Sequence, residues 1–84
     1  MAVTFENEAR EAARRLAECV EKDPERMGGE PVFRGTRVPV KSLFDHLSAG
    51  DSPEVFLDDF PGVTREQIRT VLDVAGLRLM EEVR

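Results

Sequence analysis

The chain has 84 residues and a formal net charge of −5, with one cysteine, Cys19, and one histidine, His46. A chain of this length forms one domain that hides only about 60 to 65 % of its unfolded surface, so we expect association with a partner or a second copy. One cysteine excludes an internal disulfide, and a lone Cys and His do not make a zinc site. Without a signal peptide or long apolar run, we expect a cytoplasmic protein with no metal, cofactor or membrane contact.

The first predicted element is a helix over residues 5–21, with Thr4 as its candidate N-cap. Its apolar residues recur at helical spacing and are mostly alanine: Phe5, Ala9, Ala12, Ala13, Leu16 and Val20. Alanine buries little area but lets another helix approach closely. This helix is therefore a candidate dimerisation element as well as part of the core.

Residues 22–39 are predicted as a short strand region, because Asp23-Pro24 ends the helix and Gly28-Gly29 supplies a flexible connection. A regular strand from Val32 to Val40 would mix core and charge on each face. A bulge or tight bend at Gly35 corrects this, since it places Arg34 and Arg37 together on the outward face. Phe33, Val38 and Val40 then share the core face.

Pro39 lacks a backbone N–H, so this strand is expected at a sheet edge, where another chain could pair with it. Two hypotheses account for Arg34 and Arg37. They contact a partner, or they only keep the strand soluble and form ion pairs with nearby acidic residues.

Residues 40–84 are predicted to form three helices. The first begins near Val40 and ends at Gly50, a suitable left-handed residue. Ser52, Pro53 and Glu54 start a short second helix, whose residues Val55, Phe56 and Phe60 are expected to face inward.

A turn at Pro61-Gly62 precedes the last helix, which opens with a capping box made by Thr64 and Gln67. Gly76 interrupts this helix. Its buried side is predicted from the apolar spacing to comprise Ile68, Val71, Leu72, Ala75, Leu79 and Val83. The fold class is therefore mainly α, a three-helix unit of helix-turn-helix type preceded by a short β strand or ribbon and an extra N-terminal helix, in a single domain over residues 1–84.

Three motifs in order resemble the prokaryotic family called domain of unknown function 433: DPERMGGEPVFRGTRVPV, AGDSPE and DDFPGVTREQI. The resemblance covers about Asp23 to Ala75. It implies a homeodomain-like fold, frequent homodimers and a role as antitoxin beside a PIN-like ribonuclease toxin. The sequence departs from the family twice, since Glu30 replaces a lysine and the alanine-rich helix replaces a short strand before Asp23-Pro24.

The antitoxin hypothesis assigns partner contact to the only net-basic stretch, residues 31–44, which holds three basic groups and no acid. An arginine inserted into the carboxylate cluster of a nuclease could block its metal or its RNA. The candidate contact residues are Arg34, Thr36, Arg37 and Lys41, with Arg84 at the chain end, and the structural turn residues are Gly35, Pro39, Gly50 and Pro61.

A second hypothesis is DNA binding, on an operator or as a stand-alone helix-turn-helix regulator. The start of the last helix would read bases, through Thr64, Arg65, Gln67, Arg69 and Thr70. Asp58, Asp59 and Glu66 oppose it, because they would repel phosphate. A third alternative is a dimeric interaction module that binds no nucleic acid.

An enzyme is not expected. His46 is at a helix position beside Leu47, where a packed or solvated residue is the better interpretation. The side chains of Asp58 and Asp59 diverge on a helix, and Cys19 has no histidine nearby. GGEPVFRG is not a phosphate-binding loop, because no helix starts where one is required. We therefore predict no catalytic residue and no small-molecule substrate.

Overall fold

The structure, a computed structural model, describes residues 2–25 and 27–83, with side chains from residue 10 onward except Met27. Within these residues the elements follow in chain order as α1 (Ala2–Cys19), β1 (Val20–Glu21), β2 (Val32–Phe33), α2 (Val40–Ser48), α3 (Pro53–Asp59) and α4 (Arg65–Glu82), with a 3-10 turn at Met27–Gly29. The prediction of a mainly α fold is confirmed: a helix-turn-helix-like unit, α2 to α4, follows a short β ribbon and an N-terminal helix.

The N-terminal helix is shifted from the predicted range. α1 begins at Ala2, so Thr4 lies inside the helix and is not its N-cap. It ends at Cys19, because Val20 and Glu21 leave the helix and pair antiparallel with β2, with Val20 opposite Phe33. The strand before Asp23-Pro24 is therefore present in addition to the helix, and the expectation that the helix replaces it is wrong.

The predicted strand from Val32 to Val40 is two arms joined by a turn. β2 ends at Phe33, and Val32 makes an isolated antiparallel bridge with Pro39. The amide of Val40 donates to the carbonyl of Pro31 at 3.0 Å, which fixes the returning arm beside β2. The ribbon therefore has β2 in the middle, with β1 on one side and residues 38–40 on the other.

The core sits where the ribbon meets the three C-terminal helices. Phe33, Leu43 and Phe56 have no exposed surface, and the rings of Phe33 and Phe56 lie 6.0 Å apart. Val63, Ile68 and Val71 complete this buried cluster. One strand residue, Phe33, thus anchors the ribbon among the helices.

The caps of α2 and α3 follow the residue types that the sequence places there. Gly50 has a φ of 95°, the left-handed conformation that favours glycine after a helix. The Ser52 side chain accepts a hydrogen bond from the amide of Val55, and Pro53 occupies the first turn. Phe56 is buried, but Val55 is 41 % exposed, so the prediction that Val55 faces inward is wrong.

α4 starts with the predicted capping box and continues through Gly76 to Glu82. Ile68 and Val71 on its buried side are 3 % and 4 % exposed, whereas Leu79 and Val83 are 63 % and 74 % exposed. The predicted burial of Leu79 and Val83 is wrong because the helix extends past the core cluster, which ends at Val71 and Leu72. α1 packs mainly on α4, and its residue Ala12 is buried.

Candidate interaction surface

The arginines of the opening motif lie in a tight turn over Arg34–Arg37, here called the RGTR turn. The amide of Thr36 donates to the carbonyl of Phe33 at 3.0 Å, and Gly35 adopts a φ of 82°. That positive φ is costly for residues with a Cβ, so glycine suits this position. The Thr36 hydroxyl donates to the Phe33 carbonyl at 2.7 Å and accepts from the amide of Val38 at 3.0 Å. The turn is therefore held by its own side chain and backbone.

Arg34 closes the end of α1. Its guanidinium donates to the carbonyl of Ala17 at 2.9 Å and to that of Val20 at 3.4 Å, and its amide donates to the carbonyl of Cys19 at 2.8 Å. The last carbonyls of a helix lack partners within the helix, and the helix dipole favours a cation there. Arg34 therefore has a structural role that its sequence position did not reveal.

Glu21 completes this connection and is a residue that the sequence analysis missed. Its carboxylate accepts from the amide of Gly35 at 2.9 Å and lies 3.8 Å from the Arg34 guanidinium. An acid beside Asp23-Pro24 carried no signal for this role, because its partner is 14 residues later in the chain. β1 and the RGTR turn are thus joined through a charged side chain.

Arg37 is exposed and makes no hydrogen bond or ion pair with any residue that the structure describes. Lys41 is also exposed, but its ammonium lies 3.0 Å from the Asp45 carboxylate on the next turn of α2. The proposed contact group is therefore not uniform. Arg34 and Thr36 hold the turn, Lys41 has a surface ion pair, and Arg37 projects without a partner.

The Gln67 side chain joins three parts of the fold. Its Oε1 accepts from the amide of Thr64 at 2.9 Å, which completes the capping box of α4. Its Nε2 donates to the carbonyl of Arg34 at 3.1 Å and to that of Cys19 at 3.4 Å. Gln67 therefore connects the start of α4 with the RGTR turn and the end of α1, and its amide is not available for a base.

The other residues proposed to contact DNA differ in whether their side chains are exposed and free. Thr64 caps α4 by accepting from the amide of Gln67, and Arg65 donates to the Glu54 carboxylate at 2.9 Å. Thr70 is only 2 % exposed, so its side chain is not on the protein surface. Arg69 is exposed and has no ion pair among the described residues.

The turn between α3 and α4 packs against the RGTR turn. A Cβ at Gly62 would lie 3.5 Å from Cγ2 of Thr36, an ordinary contact distance. Arg37 is the residue after Thr36 in the chain, so it lies next to the contact between the two turns. The Arg65 guanidinium also lowers the pKa of the Glu54 carboxyl, so this exposed pair links the first turns of α3 and α4.

One backbone position on each edge of the ribbon is closed to an added strand. Pro39 has no N–H, and its carbonyl accepts from the amide of Ser42 at 3.0 Å. On the opposite side, the Val20 carbonyl accepts from Arg34. The geometry at these positions therefore does not support the expected pairing of another chain with the strand that contains Pro39.

The residues weighed for catalysis have structural surroundings. His46 makes edge contacts with the rings of Phe56 and Phe60, at centroid distances of 5.2 and 5.6 Å. Its Nδ1 lies 2.9 Å from the Ser42 carbonyl and its Nε2 lies 3.4 Å from the Asp59 carboxylate. In the described part of the chain, no group of three His, Cys, Asp or Glu side chains could hold a metal ion. No helix described here is both long enough and apolar enough to cross a bilayer.

The fold and the two packed turns define a small helix-turn-helix-like domain with a β ribbon docked at its tri-helical unit. The family described as protein of unknown function DUF433 matches residues 20–75, from β1 into the middle of α4. This chain belongs to that family. Arg84 lies outside the described residues.

Two curated relatives match the chain. It is 44 % identical over 52 residues to "Uncharacterized protein y4eO" of Sinorhizobium fredii (strain NBRC 101917 / NGR234), covering 62 % of this chain and 24 % of that protein. It is 43 % identical over 51 residues to "Putative antitoxin VapB45" of Mycobacterium tuberculosis (strain ATCC 25618 / H37Rv), covering 61 % and 21 %. The chain thus spans less than a quarter of the length of each relative. No solved structure matches it significantly.

Proposed function

We propose that the protein is a non-enzymatic antitoxin that docks onto a PIN-like ribonuclease toxin, inhibits it, and acts as a homodimer in the cytoplasm. The relative named "Putative antitoxin VapB45" supports the toxin-antitoxin role. The family segment, residues 20–75, includes the RGTR turn and the turn between α3 and α4, which form the surface proposed here for docking.

One observation carries the choice of contact residue: Arg37 is exposed and unpaired in the described part of the chain, on a turn that the hydrogen bonds of Thr36 to Phe33 and Val38 hold in place. Because the turn is already held in shape, binding through Arg37 would order the arginine side chain but little additional backbone. The guanidinium fork matches a carboxylate, and a PIN-like active site is a carboxylate cluster that holds Mg²⁺ or Mn²⁺. Arg37 would neutralise that cluster and exclude the metal or the RNA.

The remaining proposed contacts take supporting roles. Arg34 and Thr36 hold the turn in shape, and Lys41 lies one residue beyond the ribbon, in the first turn of α2. Arg84 remains a proposed contact at the chain end. Truncation of the Arg37 side chain therefore tests binding without removing a contact that stabilises the fold.

The test is co-expression of this protein with the product of the adjacent open reading frame, which the proposal expects to be a PIN-like ribonuclease, followed by a ribonuclease inhibition assay. We expect Arg37→Ala to weaken inhibition by at least about tenfold, the effect of a central interface arginine, with an unchanged melting temperature. Arg78→Ala is the matched control, because it removes an exposed arginine of α4 that is not among the proposed contacts. If Arg37→Ala inhibits as well as the wild-type protein, the contact assignment fails. If the two proteins do not associate at all, the antitoxin proposal fails.

Autoregulatory DNA binding is the second candidate, and a stand-alone regulator is its variant. It is favoured by the tight turn before α4 and by Arg69, which is exposed and unpaired among the described residues. Exposed Glu66 and Asp73 on the same helix oppose it. A mobility-shift titration with the protein's own promoter at low salt tests this candidate. If the wild-type protein shifts the DNA, Arg69→Ala should abolish the shift. If the wild-type protein causes no shift, the DNA-binding candidate fails and the protein is an interaction module that does not bind DNA.

A further inference from the structure

The peptide bond between Arg34 and Gly35 is held from both sides by side chains of other elements. Its carbonyl, which belongs to Arg34, accepts a hydrogen bond from Nε2 of Gln67 at 3.1 Å. Its N–H, which belongs to Gly35, donates to Oε2 of Glu21 at 2.9 Å. Glu21 lies in β1 and Gln67 in α4, so two elements that are distant in sequence grip a single peptide unit of the turn.

This peptide is the one whose orientation separates the two common types of β-turn. The amide of Thr36 closes the turn on the carbonyl of Phe33, so Arg34 and Gly35 are its two central residues. Type I and type II turns can share this closing bond and differ mainly in the orientation of the central peptide. Only type II requires a positive φ at the second central residue, and Gly35 has a φ of 82°. The turn therefore holds its central peptide in the type II orientation.

The two gripping side chains are matched to that orientation. A carboxylate only accepts hydrogen bonds, and the nitrogen of a side-chain amide only donates them. Rotation of the central peptide would break both bonds and would turn its carbonyl oxygen toward the carboxylate of Glu21. A Cβ added at Gly35 would meet no atom within 4 Å, so side-chain packing at this residue does not select the orientation. The selection therefore comes from the hydrogen bonds.

We propose that Glu21 is a positioning residue of the docking surface, which locks the central peptide of the RGTR turn and so keeps the turn that carries Arg37 in one form. The docking role rests on the function proposed above. Gln67 shares the lock, but its Oε1 also accepts from the amide of Thr64 and caps α4. The side-chain contacts of Glu21 with described residues go to the turn alone, to the Gly35 amide and, at 3.8 Å, to the Arg34 guanidinium.

Loss of the Glu21 carboxylate should release the peptide without unfolding the domain. Glycine adopts φ values of either sign, and the bond from Thr36 to Phe33 is compatible with both turn types. We therefore expect about half or more of the Glu21→Ala molecules to adopt the second orientation, because type I is the commoner turn and the Gly35 N–H has lost its charged acceptor. A partner that binds the locked form would then bind about two- to threefold more weakly, in proportion to the competent fraction.

The first experiment needs no partner: ¹H–¹⁵N NMR of the full chain, with the amides of Gly35 and Thr36 as reporters. We expect single sharp signals from the wild-type protein, and doubled or exchange-broadened signals from Glu21→Ala. Glu21→Gln keeps an oxygen that can accept from the Gly35 amide and should restore most of the wild-type spectrum. Glu25→Ala removes an exposed acid four residues further along the chain and is the matched control.

A second variant tests the reach of the carboxylate. Glu21→Asp keeps the charge but withdraws the carboxylate by one methylene, so it should show the same exchange as Glu21→Ala. Circular dichroism of each variant checks that the fold is kept. Single sharp Gly35 and Thr36 signals in both Glu21→Ala and Glu21→Asp would overturn the lock.

The second experiment is a double-mutant cycle in the ribonuclease inhibition assay. Glu21→Ala should weaken inhibition by about two- to threefold when Arg37 is present and should have no further effect in the Arg37→Ala background. Equal losses in both backgrounds, or no loss in either, would overturn the positioning role. A protein that does not associate with the neighbouring gene product overturns the proposed function and the docking role with it, while the NMR spectra decide separately whether Glu21 locks the turn.

Discussion

Arg34 donates a hydrogen bond of 2.9 Å to the carbonyl of Ala17, so a ribbon residue closes a helix that ends well before it in the chain. The same residue lies within the family segment, residues 20–75. Of the two arginines in the RGTR turn, Arg34 is therefore bonded within the fold, while Arg37 is exposed and has no partner among the described residues.

Arg34→Ala should lower the free energy of unfolding by about 1 to 2 kcal/mol, because hydrogen bonds to charged groups contribute at this level and the side chain is half exposed. Arg37→Ala is the matched control and should change it by less than about 0.5 kcal/mol. Urea unfolding measures both. Equal effects of the two substitutions would contradict the structural role of Arg34.

Gln67→Glu separates the two functions of the Gln67 side chain. Glutamate keeps the oxygen that accepts from the Thr64 amide, but it replaces the donor to the Arg34 carbonyl with a second acceptor. We expect a loss of about 1 to 3 kcal/mol, since the carbonyls lose their donor and face a carboxylate. Chemical denaturation measures the loss, and Glu66→Gln on the same turn is the control. A stable Gln67→Glu protein would show that only the capping box matters.

Substitution of glycine by alanine should change the free energy of unfolding in opposite directions at Gly35 and Gly76. Gly35 has a φ of 82° and open space around it, so Gly35→Ala should destabilise by about 1 to 2 kcal/mol through backbone strain alone. Gly76 lies inside α4 with no atom near a new Cβ, so Gly76→Ala should stabilise by about 0.5 to 1 kcal/mol. Thermal unfolding of both variants gives the signs, and a stabilised Gly35→Ala would contradict the turn geometry.

Acid should remove the contribution of the Glu54–Arg65 pair. The hydrogen bond from Arg65 lowers the pKa of Glu54 below its ordinary value of 4.5. A group with a lowered folded pKa stabilises the fold above its unfolded pKa, and this stabilisation is lost as the pH falls through the folded pKa. The melting temperature of Glu54→Gln should therefore lie below that of the wild-type protein at about pH 7, and this difference should shrink as the pH falls below the ordinary pKa of 4.5. A difference that persists in acid would assign the effect to something other than this ionisation.

Local features of the fold could be predicted from the sequence. Ser52 with Pro53 and Thr64 with Gln67 are cap signals whose partners lie within four residues, so the starts of α3 and α4 are at the predicted residues. β1 could not be predicted, because Val20 continues the helical spacing of α1 and its strand partner, Phe33, is distant in sequence.

The candidate surface was less predictable for the same reason. Their residue types suggested that Arg34, Gln67 and Thr70 contact a partner or DNA. Contacts within the fold decide instead whether each side chain is free to do so. Arg34 and Gln67 bond to the backbone of distant elements, and Thr70 is buried in α4. Periodicity likewise assigned Leu79 to the correct helix face without showing that the core ends before it.

The hydrogen bonds at the two edges of the ribbon bear on whether copies of the protein can aggregate by strand addition. An open strand edge is a template on which identical chains add to each other and aggregate. Here one edge has a proline whose carbonyl is already bonded, and the other has a carbonyl covered by an arginine. Addition of a strand from a neighbouring molecule is therefore disfavoured at these two positions.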